Sequence, residues 1–287
     1  METYTIILDN LAFPQDAKGE LHWTGTIRGF GKGDIRSAPI VNSGANGGMI
    51  PDQFIDMRRI PLDLVVHSPD LHLVESLALQ VNQVLEINKV IEVRLITPTG
   101  KQYGLKARVL MAEPEIGDIV SLIDYRVELL AEDPIIYDYT DGSGVHINLQ
   151  KAIPGGVPWE VDGIDWNSEG FDWEDGQGDA EVHNLGTAAV APVIKISGAT
   201  TNPIFTNKTT NQVISLNITT TVGDEIIIDC SGDGTVTLNG QNIYNNLISD
   251  DFWNVIPGLN IISYTSNSES DTATIDFGWL NGHMGIM

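Results

Sequence analysis

Residues 273–279 have the sequence Ala-Thr-Ile-Asp-Phe-Gly-Trp, and this stretch decides the fold class of the second half of the chain. Apolar residues occupy every other position, and small or polar residues lie between them. A side-chain period of two is that of a β-strand with two different faces. We therefore predict a strand that places Ile275, Phe277 and Trp279 on one face.

The same pattern of strand and turn extends back to residue 191. Apolar residues alternate in two further stretches, at Ile214–Ile218 and Val236–Leu238. Turn-forming pairs such as Asn239-Gly240 and Pro257-Gly258 interrupt them at short intervals. Short strands with frequent turns predict an antiparallel β-sandwich or jelly roll. The chain's one cysteine, Cys230, follows a β-like apolar run, so a buried, inert thiol is favoured over a nucleophile or a metal ligand.

The first half of the chain combines strands with one helix. Strands are predicted at residues 4–9, 60–67, 90–97, 104–110 and 120–130. The helix follows Ser68, which can cap it, with Pro69 in the first helical position. One stripe of apolar residues recurs at steps of three and four: Leu73, Val74, Leu77, Val81, Val84 and Leu85. The first half is therefore predicted to be α+β and rich in strands.

Glycines are dense between residues 27 and 50. They include Gly29, Gly31, Gly33, Gly44, Gly47 and Gly48. The order Gly-Phe-Gly-Lys-Gly at residues 29–33 lacks the spacing of a phosphate-binding loop, and no strong helix pattern follows it. Because glycine permits turns and close backbone approach, an extended hairpin or arm is preferred.

Regular periodicity fails between residues 141 and 183. A seven-residue unit that opens with tryptophan and closes with aspartate occurs three times there, beginning at Trp159, Trp166 and Trp173. The glycines exclude a stable coiled coil, so tandem acidic turns are predicted. The tryptophans are expected to anchor this segment onto a neighbouring domain or to contact a partner protein, and a glycan is the alternative ligand. The aspartates could hold calcium, but they do not fit the EF-hand loop and are expected to be solvated.

These observations divide the chain into three predicted parts. Residues 1–140 form an N-terminal domain, residues 141–188 a linker or insertion rich in Gly, Trp and Asp, and residues 189–287 a C-terminal sandwich. No run of apolar residues is long enough to span a membrane. The start of the chain lacks the pattern of a secretion signal, so synthesis in a cytoplasm is expected.

Net charge is −24, and the charge is unevenly distributed. Residues 1–126 contain 12 Lys/Arg and 16 Asp/Glu, whereas residues 127–287 contain 3 Lys/Arg and 23 Asp/Glu. Such a surface repels phosphate backbones and disfavours direct binding to nucleic acid. It could serve solubility alone, or it could line a channel through which DNA slides without sticking.

No constellation of residues points to catalysis or to a cofactor. The six histidines are scattered without metal-ligand spacing, and a single cysteine cannot build a zinc site of the Cys/His type. Ser143 does not lie in a nucleophile elbow. Among 39 acidic residues some carboxylate pair will always fit a glycosidase, so such a pair carries little weight. The chain is predicted not to be an enzyme.

Several short strings in the second half, taken in order, resemble one known family. They are Asn184–Ala188, Ala191–Gly198, Asn202–Asn207, Val222–Asp229, Val236–Gly240, Phe252–Ile262 and Phe277–Trp279. In the first half, residues 131–138 (Ala-Glu-Asp-Pro-Ile-Ile-Tyr-Asp) resemble the segment that closes the N-terminal domain of the same family. The chain thus resembles the distal tail proteins of siphophages, the phages with long non-contractile tails. The Trp-Asp repeat is not part of that family's general pattern.

The resemblance implies a fold and a role. It implies a mainly β protein, with a split-barrel-like N-terminal domain and a galectin-like C-terminal sandwich. Copies would form a hexameric ring at the virion tail tip, with the glycine-rich arm embracing a neighbour. The ring would join the tail tube protein to a tail-tip hub protein of the tail-associated lysin type, leaving a channel for DNA. A receptor-binding or tape-measure protein is a further expected partner.

A second hypothesis comes from a different class of function. The sandwich or the tryptophans of the repeat could bind saccharides of the host cell wall, which would make the chain a glycan-binding tail-tip or adhesion module.

Overall fold

The chain was analysed as a computed structural model that describes residues 3–15, 19–37, 40–41, 46–117, 121–142, 144–151, 179–267 and 271–286. Two compact units are present. The first comprises Met1–Ser143 together with Gly282–Met287, and the second comprises Gly144–Asn281. Among the described residues, no helix is both long and apolar enough to cross a membrane.

The first unit opens with β1 (Thr5–Leu8), β2 (Leu11–Pro14), β3 (Leu21–Thr24), β4 (Ile35–Arg36), β5 (Ile40–Val41), β6 (Gly48–Met49), β7 (Phe54–Ile55), β8 (Arg58–His67), α1 (Leu71–Val84), β9 (Val90–Ile96), β10 (Gln102–Ile116), β11 (Leu122–Ala131) and β12 (Ile136–Asp138). The second unit contains β13 (Val145–Leu149), β14 (Asp179–Asn184), β15 (Val193–Ser197), β16 (Ile204–Asn207), β17 (Gln212–Leu216), β18 (Glu225–Asp229), β19 (Thr235–Leu238), β20 (Gln241–Asn242), a 3-10 turn (Tyr244–Asn246), β21 (Leu247–Asp250), β22 (Gly258–Thr265) and β23 (Thr274–Trp279). A last strand, β24 (Gly282–His283), belongs to the first unit.

One large antiparallel sheet builds the first unit. Its strand order is β2-β1-β9-β10-β11-β8-β3, and β12 pairs with both β10 and β24. The two ends of this order, β2 and β3, lie beside each other, so the sheet curls around one core. In strand β8, for example, Ile60, Leu62 and Leu64 are buried on the face that lies against the core, and the residues between them are exposed. The predicted strand-rich α+β character of this half is confirmed.

Helix α1 covers the core with its predicted stripe, since Val74, Val81 and Val84 are buried. The predicted cap was wrong. The helix begins at Leu71, and Asp70 is the N-cap, whose carboxylate accepts a hydrogen bond from the His72 backbone N–H at 3.0 Å. The Ser68 hydroxyl instead accepts from the Asp70 N–H at 3.2 Å, and this local turn delays the start of the helix.

Two antiparallel sheets build the second unit. One has the order β13-β23-β15-β18-β19-β20, and the other has the order β14-β22-β16-β17-β21. Ile275, Phe277 and Trp279 of β23 are buried, as their alternation predicted. Phe277 stacks on Trp253 with ring centroids 5.8 Å apart. The mainly β, antiparallel character predicted for this half is therefore confirmed.

A partly buried hydrogen-bond network centres on Asp271 in the second unit. Its Oδ2 accepts hydrogen bonds from the Tyr264 hydroxyl at 2.5 Å, from Ser266 Oγ at 2.5 Å and from Thr200 Oγ1 at 3.0 Å. Its Oδ1 accepts from the Ala273 N–H at 3.0 Å. Burial by itself would raise the pKa of Asp271, but these donors outweigh it and hold the pKa below the usual value.

The bounds of the units differ from the stretches expected for the domains. The predicted linker, residues 141–188, contains β13 and β14, which pair with β23 and β22 respectively. Residues 152–178, between these two strands, lie outside the described part of the chain. At the other end, residues from 282 onward belong to the first unit and not to the sandwich.

Candidate assembly surface

Residues 34–57, called the arm below, contain two short two-stranded ribbons in the part that the structure describes. Ile35 pairs with Ile55 in one two-stranded ribbon, and Ile40 pairs with Met49 in the next. A backbone hydrogen bond of 2.8 Å from Asp56 N–H to Asp34 O closes the base. Residues 42–45, at the turn, are outside the described residues. The predicted extended hairpin is present in the part that is described.

The arm carries a row of large apolar side chains on its surface. Six of them are between 49% and 67% exposed: Ile35, Ile40, Met49, Ile50, Phe54 and Met57. Single exposed apolar residues are ordinary on proteins, but a cluster on one segment marks an interaction surface. A two-stranded ribbon is also marginally stable by itself in water. The arm therefore has the composition of a segment that another surface covers.

A buried arginine holds the root of the arm. The Arg58 side chain is 2% exposed, and its guanidinium donates to four backbone carbonyls. Nε donates to Pro134 O at 2.7 Å, and Nη2 donates to Met284 O at 2.8 Å. Nη1 donates to Gly29 O at 2.7 Å and to Gly31 O at 2.6 Å. One side chain thus ties the start of β8 to the segment before the arm and to the end of the chain.

The electrostatics of Arg58 fit this structural role. Desolvation lowers the pKa of the guanidinium from its usual value, and the charges of Asp133 and Asp34 partly oppose this. Arginine remains charged at neutral pH even when its pKa is lowered, so the four carbonyls face a permanent cation. The fork of donors suits several carbonyls at once, which a lysine could not match.

The glycines predicted for the arm occupy two places. Gly29 has φ +86°, and a Cβ there would lie 2.5 Å from Arg59 O. At Gly33 a Cβ would lie 2.6 Å from Ile55 Cγ2, so both glycines permit close packing at the root. Gly31 also lies at the root, whereas Gly47 and Gly48 lie on the returning side of the arm, and Gly44 is outside the described residues.

The end of the chain completes the root. Strand β24 pairs with β12, through Gly282 opposite Tyr137 and His283 opposite Ile136. The Ile286 N–H donates to Phe30 O at 2.9 Å. A Cβ on Gly285 would lie 2.6 Å from the backbone of Gly31, so this glycine is needed for the close approach.

A second exposed feature is the end of the β10–β11 hairpin. Residues 113–117 are all exposed, and Ile116 is 68% exposed. Glu115 lies directly opposite Asp124 in the register, and Glu113 lies opposite Arg126. Like charges directly opposite each other destabilise a strand pair, so this end is not arranged for the stability of the single chain.

The other candidates for chemistry are the Cys230 thiol and any group of metal-binding side chains. Burial raises the pKa of the Cys230 thiol to about 12, so it is neutral and inert as expected. Within the described ranges, no group of three or more His, Cys, Asp or Glu could hold a metal ion. Trp159, Trp166 and Trp173, predicted as contacts for a partner or a glycan, lie outside the described residues.

A family model supports the resemblance seen in the sequence. Residues 185–278 match the family described as siphovirus-type tail component, C-terminal domain. The resemblance to the distal tail protein family is confirmed. No curated protein sequence matches the chain.

Solved structures of phage tail proteins share the fold of this chain. The crystal structure of SPP1 Dit (gp 19.1), described as a paradigm of the hub adsorption apparatus in phages that infect Gram-positive bacteria, matches with a TM-score of 0.65 at 15% identity. The match covers 97% of this chain and 98% of that chain. A chain of the phage P2 baseplate in its activated conformation with Ca matches with a TM-score of 0.58 at 12% identity, covering 96% and 97%.

Sequence reasoning identified the arm but missed the residue that anchors it. Arg58 lies on the same buried face of β8 as Ile60 and Leu62, but this strand was predicted to begin only at residue 60. An arginine on the buried face of a strand signals a buried cation that needs several acceptors. The carbonyls that satisfy it are remote in sequence, and nothing local in the sequence indicates them.

Proposed function

We propose that the chain is a structural distal tail protein that forms a ring, a hexamer, between the phage tail tube and the tail-tip hub. The ring leaves a channel for DNA, and no residue of the chain performs catalysis. The family match to a siphovirus-type tail component and the fold shared with SPP1 Dit support a structural role in a tail.

The exposed apolar side chains of the arm are the observation on which the proposed ring depends. A closed ring repeats one contact between two different surfaces of the same chain. An arm with six exposed apolar side chains supplies one of these surfaces, and its root is held by Arg58 in a defined position. Because contacts within one copy already order the root of the arm, less conformational entropy is lost when the arm docks on a neighbour.

The charge of the chain suits a channel. A net charge of −24 repels the phosphate backbone, so DNA that passes through the ring does not adhere to it. The tail tube protein and a hub protein of the tail-associated lysin type are the proposed axial partners, with a receptor-binding or tape-measure protein as a further one. The protein is made in the cytoplasm of the host bacterium and resides at the tail tip of the virion.

The experiment is a measurement of assembly with a matched control. The purified wild-type chain should form closed rings, seen by light scattering and negative-stain electron microscopy. The substitutions Ile35→Ser, Ile50→Ser and Phe54→Ser should leave it monomeric. Val222→Ser and Ile248→Ser, which change side chains of the second unit that are 86% and 69% exposed, should leave the rings intact.

A wild-type chain that stays monomeric at high concentration and does not associate with tail tube or hub protein contradicts the proposal. Rings that form equally well from the arm variant would show that the arm is not the contact.

A further inference from the structure

The root of the arm carries a concentration of positive charge that is unusual for this chain. An open cleft there, called the root cleft, has five charged residues in its lining: Arg28, Lys32, Asp34, Arg58 and Arg59. Four of the chain's 15 Lys/Arg residues thus gather in one place, although the protein as a whole is strongly acidic.

Two of these cations have no partner within the described chain. Arg58 is committed to backbone carbonyls, and Arg59 forms an ion pair of 3.0 Å with Glu128. Arg28 and Lys32 are exposed, and no ion pair joins either of them to another described residue. The root cleft therefore presents free positive charge beside the apolar side chain of Met57.

The end of the β10–β11 hairpin has the complementary character. Glu113, Glu115 and Asp124 are exposed around Ile116, and Arg126 is the cation among them. The acids Glu115 and Asp124 also line a second open cleft, together with Asp63 of β8 and Arg126. We call Glu113, Glu115, Ile116 and Asp124 the acidic hairpin end. The acidic hairpin end thus places carboxylates beside the exposed apolar side chain of Ile116. The root cleft places cations beside the exposed apolar side chain of Met57.

The two surfaces lie at different places along β8 in one copy. Arg58 begins β8, whereas Asp124 lies opposite Val65, seven residues further along the same strand, or roughly 23 Å at about 3.3 Å per residue. Arg28 lies closer to the acids, since it lines a pocket with Thr24 and Asp63, which also line the cleft of Glu115 and Asp124. Among the described residues, however, no ion pair joins Arg28 or Lys32 to the acidic hairpin end within one copy.

We infer that the root cleft of one copy docks the acidic hairpin end of the next copy in the ring. The inference rests on the proposed ring and names the two surfaces of its repeated contact. The arm supplies apolar contact, and the opposite charges determine which surface of the neighbour it meets. The unfavourable pairing of Glu115 with Asp124 is relieved when Arg28 and Lys32 approach.

Charge reversal on each surface tests the pairing. One variant carries Arg28→Glu and Lys32→Glu, and the other carries Glu115→Lys and Asp124→Lys. Each variant alone brings like charges together, and its association should be at least about tenfold weaker than that of the wild type. An equimolar mixture should assemble again, because every contact in an alternating ring then joins opposite charges. A chain that carries all four substitutions should also assemble.

The control is Asp233→Lys with Asp251→Lys, which reverses two exposed acids of the second unit and should assemble as the wild type does. Circular dichroism and thermal unfolding check that each variant folds. If a reversed variant does not fold, Arg28→Gln with Lys32→Gln replaces it, and its association should depend less on salt than that of the wild type.

The outcomes separate the inference from the proposed function. Absence of wild-type rings refutes the ring itself. Rings from the wild type and equally from each reversed variant refute the charge pairing alone. Folded variants that fail both singly and as a mixture also refute it, because the root cleft would then bind a different acidic surface, such as that of another tail protein.

Discussion

Replacing Arg58 with methionine should destabilise the first unit strongly. Methionine keeps much of the apolar length of the side chain but removes all four donors to Pro134 O, Gly29 O, Gly31 O and Met284 O. A carbonyl that loses its partner in a protein interior costs about 1–3 kcal/mol. Methionine avoids the cost of desolvating the guanidinium, which offsets part of the loss.

The expected loss is about 3–4 kcal/mol in the free energy of unfolding, taking the lower cost for each carbonyl because their residues are only half-buried. Arg58→Lys should lose about 2 kcal/mol, since one ammonium group retains the charge but cannot reach carbonyls on three separate segments. Losses of this size are a large part of the stability of a typical domain, about 5–15 kcal/mol.

Native-state hydrogen exchange followed by mass spectrometry measures the loss locally. Peptides of β8 and β11 should exchange faster in the Arg58→Met variant, and peptides of β18 and β23 in the second unit serve as the internal reference. Arg59→Met is the matched control, because Arg59 is exposed and its ion pair with Glu128 should be worth less than about 1 kcal/mol. Equal effects of Arg58→Met and Arg59→Met would refute the reasoning.

Three further predictions concern single residues. Gly29→Ala should destabilise the first unit by about 2 kcal/mol, because φ is +86° and a Cβ would lie 2.5 Å from Arg59 O. Gly47→Ala, with φ +96° and no atom within 4 Å, should cost about 1 kcal/mol or less, and urea titration of both variants measures the difference. The lowered pKa of Asp271 stabilises the second unit above the unfolded value near 3.8, and this contribution is lost as the pH falls through the lower folded value. Asp271→Asn should therefore flatten the acid limb of a plot of stability against pH, and an unchanged limb would contradict the assignment. Cys230, with its pKa raised to about 12, should react with iodoacetamide much more slowly in the native protein than in urea.

The local pattern of the chain was enough to predict several of its strands, among them β1, β8, β9, β11 and β23. In β23 the alternation of Ile275, Phe277 and Trp279 with smaller residues reports burial on one face, because a strand's side-chain period is independent of its partners. In α1 the stripe of Val74, Val81 and Val84 was recovered for the same reason, with a period of 3.6. The start of α1 was missed because Ser68 and Asp70 both can cap, and only local geometry selects between them.

The candidate surface was less accessible to sequence reasoning. The glycines at residues 29–48 indicated an arm, but glycine composition does not reveal which positions need a positive φ and which need close approach. The acidic hairpin end was not predicted, because β10 was expected to end at residue 110. The strand continues to Ile116, past a shift in register between Val109 and Met111. The pairing of β10 with β11 is what brings the acidic residues of the two strands together on one surface.

The sequence by itself determined the strands whose apolar residues alternate, the buried stripe of the helix, the acidic character and the family resemblance, because all of these depend on residues that are neighbours along the chain. Only the tertiary structure decided that the end of the chain belongs to the first unit. The bond from Arg58 to Met284 O spans 226 positions of the sequence. A contact between residues so far apart produces no periodic pattern in the sequence. It forms only when the folded sheet places carbonyls from remote segments around one buried cation.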